Sequence, residues 1–187
     1  MSSTYGKTKM HHVGSIPDRL QLIAQQVDKS IQDPWTKEKA VAIITMDGTI
    51  PWTHGGFSEA EEIGRVFWYT KNNIGYVGDP SGIDYYPQAR RTEQLGGEDC
   101  DGHTIYLSSI LGSLGYTTGA KVVSADGNSW HIYNLTGLST KHNPSEVIPL
   151  DTTQKPSVPG WEPPVYYQKH VYVATFDKGK AWWKKLK

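Results

Sequence analysis

The sequence predicts an α+β fold, with helices first and an antiparallel sheet after them. Three observations carry that expectation. Leu20, Ile23, Ala24, Val27 and Ile31 form one helical-period apolar stripe, and Leu107, Ile110, Leu111 and Leu114 form another. Beyond the second stripe the pattern changes to short strand-like runs separated by turn residues, beginning with a pair joined by Asp126-Gly127-Asn128. At 187 residues the chain is long enough to bury one full core. We expect one domain over residues 15–176, a flexible N-terminal segment at 1–14 and a basic tail at 177–187.

Each element has a local reason. Ser15 is a plausible N-cap for the first helix, Pro17 suits its first turn and Pro34 lies beyond its end. Residues 37–46 read as a second short helix, and 47–56 as a loop rich in breakers. Ser58 opens a third helical pattern running to Asn73, with Glu59, Glu61 and Glu62 where the helix macrodipole favours acids. Residues 75–90 are expected to be an ordered, tyrosine-rich loop near the cysteine, too aromatic for disorder. The helix that follows Cys100 should stop at Gly115. Strands are expected at 119–125, 129–135, 146–151 and 171–176, the last after the proline-rich stretch 156–164.

Bulk properties narrow the function. Lysine plus arginine and aspartate plus glutamate each number 19, so net charge gives no reason to expect a nucleic-acid or anionic-membrane partner. No apolar run approaches a membrane span and the polar N-terminus lacks a signal-peptide core, so a soluble, cytoplasmic protein is expected. A single cysteine cannot close an internal disulfide or build a cysteine zinc site. His11, His12, His142 and His170 show no spacing for a metal site with it, and neither a metal nor a cofactor is expected. Seven tryptophans and eleven tyrosines against three phenylalanines favour rings with a polar edge, which suit grooves as well as cores.

The chemistry concentrates around that cysteine. Cys100 stands in Gly96-Gly97-Glu98-Asp99-Cys100-Asp101-Gly102-His103-Thr104, immediately before the second apolar stripe. Downstream come His131 in a strand-like run and Asp151 closing another. Thiol, imidazole and carboxylate in this order are the parts of a thiol-based acyl-transfer site. The helix N-terminus should lower the thiol pKa, while Asp99 and Asp101 raise it, so His131 as imidazolium is expected to supply the missing cation. Asp151 would orient the imidazole, and backbone N–H groups at Cys100 and its neighbours would face an oxyanion. Gln94 is a candidate oxyanion donor and Trp130 a candidate groove wall. Trp68 reads as packing, His103 as either packing or a neighbour of the thiol, and His54 as solvent-facing. Asn134 and Asn143 are alternative third members.

The Asn72-Asn73-Ile74-Gly75-Tyr76-Val77-Gly78-Asp79-Pro80 segment, the cysteine box, Leu114-Gly115-Tyr116, the His131 strand, Ile148-Pro149-Leu150-Asp151-Thr152 and Gly160-Trp161-Glu162-Pro163-Pro164 together resemble the transglutaminase-like cysteine-peptidase superfamily, in its bacteriophage and prophage branch. The resemblance covers roughly residues 33–164. It implies a papain-like core, Cys100 as nucleophile, His131 as general base and acid, and Asp151 as orienting carboxylate. It also implies a protein or peptide substrate, phage virion proteins as candidate partners, and a location in the host cytoplasm or on the virion. Two positions depart from the family: Gly102 stands where a second acidic residue is frequent, and Thr152 where proline is. Three functions follow as expectations: a peptide or isopeptide hydrolase, a crosslinking acyltransferase using the same residues, and a non-catalytic phage structural or assembly module. The open stretch Gly78-Asp79-Pro80-Ser81-Gly82 favours water over an amine as acceptor.

Overall fold

The computed structural model describes residues 14–46, 57–79, 84–138 and 146–186. Helix α1 (Ile16–Gln32) begins on a capping box in which Ser15 and Asp18 satisfy each other's backbone N–H groups. Helix α2 (Pro34–Ile44) starts earlier than its apolar pattern suggests. Pro34 does end α1, but Asp33 caps the next helix through Trp35 N at 3.0 Å, and proline is well suited to a first turn because it has no N–H to leave unpaired. Helix α3 (Glu59–Asn73) opens on a second box, Ser58 with Glu61.

The segment expected to be loop contains more structure. Strand β1 (Gly75–Tyr76) pairs in parallel with β2 (Gly97–Glu98), bracketing helix α4 (Ala89–Leu95). Helix α5 (Cys100–Ser113) follows at once, and Gly115, at φ 98°, ends it in a conformation that suits glycine. Residues Asp101 to Leu111 of α5 are all buried. The one-sided stripe therefore understates this helix: it is surrounded, in contact with α1 to α4 on one side and the main sheet on the other.

That sheet has five strands, all pairings antiparallel, in the order β5 (Val147–Leu150), β4 (His131–Gly137), β3 (Thr118–Ser124), β6 (His170–Asp177), β7 (Lys180–Leu186). The fold is α+β, with the Cys100 helix packed on an antiparallel sheet. Strand β7 corrects the expected basic tail. Ala174 pairs with Trp183, and Tyr172 with Lys185, so the lysine-rich segment is an edge strand. Charged edges of this kind discourage further strand pairing. Two apolar clusters flank α5. One joins Ile43, Phe67, Tyr106, Leu107 and Leu150. The other joins Leu20, Ile23, Ile105, Val122, Ile132 and Phe176, with Cys100 against its margin. No helix among the described residues is long and apolar enough to cross a membrane.

Candidate functional site

Cys100 is the first residue of α5 and is partly buried. His131 is the first residue of β4, directly after a loop that Asp126 organises by accepting from Asn128 N and Ser129 N, both at 2.8 Å. Asp151 follows β5. Pairing of Asn134 with Leu150 carries Asp151 to a position beside Tyr133, one diagonal step from His131. The result is a bond of 2.7 Å between His131 Nε2 and Asp151 Oδ2, with the carboxylate fully enclosed and the ring 23% exposed. Cys100 and His131 line one cleft of about 210 Å³, whose other walls include Arg19, Tyr76, Asp79, Asp84, Asp99, Asp101 and Trp130. Cys100 and Asp151 also border a small void with His103 and Thr152.

Support behind Asp151 is extensive. Its Oδ1 accepts from Thr153 N at 3.0 Å and Thr153 Oγ1 at 2.7 Å. Burial pushes this carboxyl up, but the His131 bond and charge together with the two Thr153 bonds outweigh it and hold the group below the usual carboxylate range. The Ser157 hydroxyl donates to the Asp151 carbonyl, and Lys71 on α3 donates to Ser157 Oγ at 2.7 Å and to the Gln154 carbonyl at 3.0 Å. Thr152 bonds His103 Nδ1 at 2.7 Å. Because His103 Nε2 faces the Gly75 carbonyl at 3.3 Å it must carry the proton, leaving Nδ1 to accept from Thr152. His103 is thus a buried packing residue joining α5 to β1 and to the Asp151 loop, and burial lowers its pKa.

The thiol departs from expectation. Burial pushes the Cys100 pKa up, Asp101 and Asp99 add to that, and a backbone bond at Ile132 opposes it. The helix end supplies less help than its position suggests, because Asp99 caps it: Asp99 Oδ1 accepts from Asp101 N at 2.9 Å and Gly102 N at 3.1 Å. Two donors that would stabilise a thiolate or an oxyanion are therefore already occupied. Burial and the neighbouring carboxylates thus favour the thiol over the thiolate at Cys100.

Other candidates separate cleanly. Trp130 walls the cleft, edge-on to Tyr172 at 5.8 Å. Gln94 is exposed on α4 and does not line the cleft, so its expected oxyanion role is withdrawn. Asn134 points to the opposite face of β4 and bonds Ser108 on α5 at 2.7 Å, so it does not replace Asp151. Trp68 is 44% exposed with its ring edge-on to Phe67, rather than packed in the core. His11, His12, His54, His142 and Asn143 lie outside the described residues. Sequence reasoning missed Lys71, Thr153 and Ser157. Among these only Thr153, two residues after the aspartate, carries a local signal, that of an Asx-type turn. Among the described residues no three His, Cys, Asp or Glu side chains gather in a way that could hold a metal ion. Neither a protein-family model nor a curated protein matches the chain.

Proposed function

We propose that this chain is a thiol-dependent amide hydrolase of the transglutaminase-like, papain-fold type, cleaving peptide or isopeptide bonds through a thioester at Cys100. The observation that carries the reading is the 2.7 Å bond between His131 Nε2 and the enclosed Asp151 carboxylate, beside a cleft that His131 shares with Cys100. A carboxylate only accepts, so Nε2 holds the proton and Nδ1 is left as the basic nitrogen. As the Cys100 sulfur bonds to the substrate carbonyl carbon, its proton passes to His131 Nδ1. The same proton then goes to the departing amine nitrogen as the C–N bond breaks, leaving a thioester. Water attacks that thioester with His131 again as base, releasing the acid and restoring the thiol. A resting thiol suits this order, in which proton transfer accompanies attack. The Cys100 N–H, not used by the Asp99 cap, is the oxyanion donor of the first turn.

A second reading, acyl transfer to an amine, uses the same three residues and differs only in the acceptor that attacks the thioester. Pro80, Ser81 and Gly82, on which the preference for water partly rests, lie outside the described residues. The test is a thiol-directed peptide amide or thioester probe, followed by mass spectrometry of the adduct. An acyl group on Cys100 that turns over to free acid supports the hydrolase. Accumulation of amine conjugates in the presence of a primary amine supports the transferase. A folded protein that forms no adduct and turns over no amide supports a non-catalytic phage assembly module.

A further inference from the structure

The cleft beside Cys100 has an unbalanced wall. Four aspartates line it, Asp79, Asp84, Asp99 and Asp101, against one cation among the described residues, Arg19. Arg19 is already paired with Asp84 at 3.0 Å. Asp79 accepts from Tyr85 N at 2.6 Å and Asp99 caps α5, so both have backbone partners. Asp101 has none among the described residues: its carboxylate, in a residue 9% exposed, makes no hydrogen bond or ion pair with them and opens onto the cleft. A buried acid without a partner costs free energy that a fixed cation would recover. Burial, and after it the charge of Asp99, push the Asp101 carboxyl well up, as expected of an acid facing an empty space. Two aromatic side chains, Tyr76 and Trp130, complete the walls and suit the flank of an ammonium or guanidinium group.

We infer that the Asp79, Asp99 and Asp101 wall binds a cationic side chain of the acyl donor, a lysine or arginine close to the amide that Cys100 attacks. This assignment of substrate class rests on the hydrolase reading above. A side-chain cation fits better than an attacking amine, because a carboxylate wall keeps an amine protonated and an ammonium is not a nucleophile. A metal ion fits less well, since no three acidic or imidazole groups converge among the described residues.

The first arm of the test needs no turnover. The full chain is alkylated at Cys100 with iodoacetamide, which is neutral, in the presence of Nα-acetyl-arginine methylamide or its neutral isostere Nα-acetyl-citrulline methylamide. The arginine compound should halve the rate at a concentration at least about tenfold lower, and that ratio should fall to within about twofold in Asp101→Asn and in Asp79→Asn. The second arm compares hydrolysis of peptide amides carrying arginine or lysine with those carrying citrulline or norleucine, where kcat/KM should favour the cations by a similar factor. Cation-selective protection without any hydrolysis keeps the cationic subsite and removes the hydrolase. Hydrolysis with no cation preference keeps the hydrolase and overturns the subsite. Protection by calcium chloride but by neither amide, or a cation effect seen only as incorporation of the amine into product, overturns it as well.

Discussion

Gly102 lies against Glu98, one turn back at the start of α5: a Cβ built on Gly102 would come within 2.5 Å of Glu98 Cβ and 3.0 Å of its Oε2. Glu98 is buried, so it cannot swing away into solvent. The glycine at position 102 therefore has a steric cause, and the space a larger side chain would enter is already filled by Glu98. Alanine is the better helix former by up to ~1 kcal/mol, yet Gly102→Ala should destabilise the protein by about 1–3 kcal/mol because overpacking wins. Urea melts of the two proteins decide the sign. A stabilised Gly102→Ala would show that the Glu98 contact yields easily.

Glu98 also makes stability depend on pH. Burial, with the charges of Asp99 and Asp79, pushes its pKa up to about 7. A carboxyl raised in the folded state binds more protons folded than unfolded between its two pKa values, so stability falls as pH rises through that window. Acidifying from about pH 8 to about pH 5 should therefore stabilise the chain, with Glu98 contributing on the order of 2 kcal/mol, and Glu98→Gln should flatten the slope. Asp151 works in the opposite sense: its folded pKa is depressed, so its contribution is intact above the unfolded value and is lost as pH falls through the folded one. A wild-type slope unchanged in Glu98→Gln would assign the effect elsewhere.

Alkylation reports the state of the thiol. With the Cys100 pKa raised by burial and by Asp101 and Asp99, iodoacetamide at about pH 6.5 should react no faster than with free cysteine, and the rate should climb toward alkaline pH. Asp101→Asn should speed the reaction at alkaline pH, where the Asp101 carboxyl is ionised, by removing a like charge. A rate far above free cysteine at about pH 6.5 would instead point to a preformed thiolate–imidazolium pair.

Turnover separates the three central residues. Cys100→Ala should abolish it, and His131→Ala should cost on the order of 10³-fold, because the proton then has no acceptor. Asp151→Asn should cost less, on the order of 10²-fold, since the base survives and loses only its orientation. Gln94→Ala should leave kcat and KM unchanged, given its exposed place on α4 outside the cleft. If Asp151→Asn is silent, the His131–Asp151 bond does not serve the reaction.

Glu93 is a structural counterpart to the site. Its carboxylate accepts from Tyr69 at 2.6 Å and from Tyr106, and pairs with Lys39 at 2.6 Å, tying α2, α3, α4 and α5 together. Burial pushes this acid up, yet the bonds from Lys39, Tyr106 and Tyr69 bring it below its ordinary value. Glu93→Ala should lower stability by about 2–4 kcal/mol, since two tyrosine hydroxyls and a lysine lose their shared acceptor. Thermal denaturation checks this, and a loss under about 0.5 kcal/mol would mean that water replaces the carboxylate.

Much of this protein is written locally. The capping residues Ser15 and Ser58, the apolar stripe of α1, the stop at Gly115 and the strands on either side of Asp126-Gly127-Asn128 depend on neighbours within a few residues, so the chain announces them. The sequence also singled out Cys100, His131 and Asp151, because reactive residue types on differently patterned segments are few. What it could not determine depends on distant contacts. Strands of two residues, as β1 and β2 are, have no periodicity to read, and β7 hides its strand character behind lysines because an edge is only half buried. The bond between His131 and Asp151 follows from the register of β4 with β5, which no spacing encodes. The state of the thiol was likewise decided in three dimensions. Position at a helix N-terminus argues for a thiolate, but burial and the Asp99 cap are properties of the folded surroundings, and they reverse the sign.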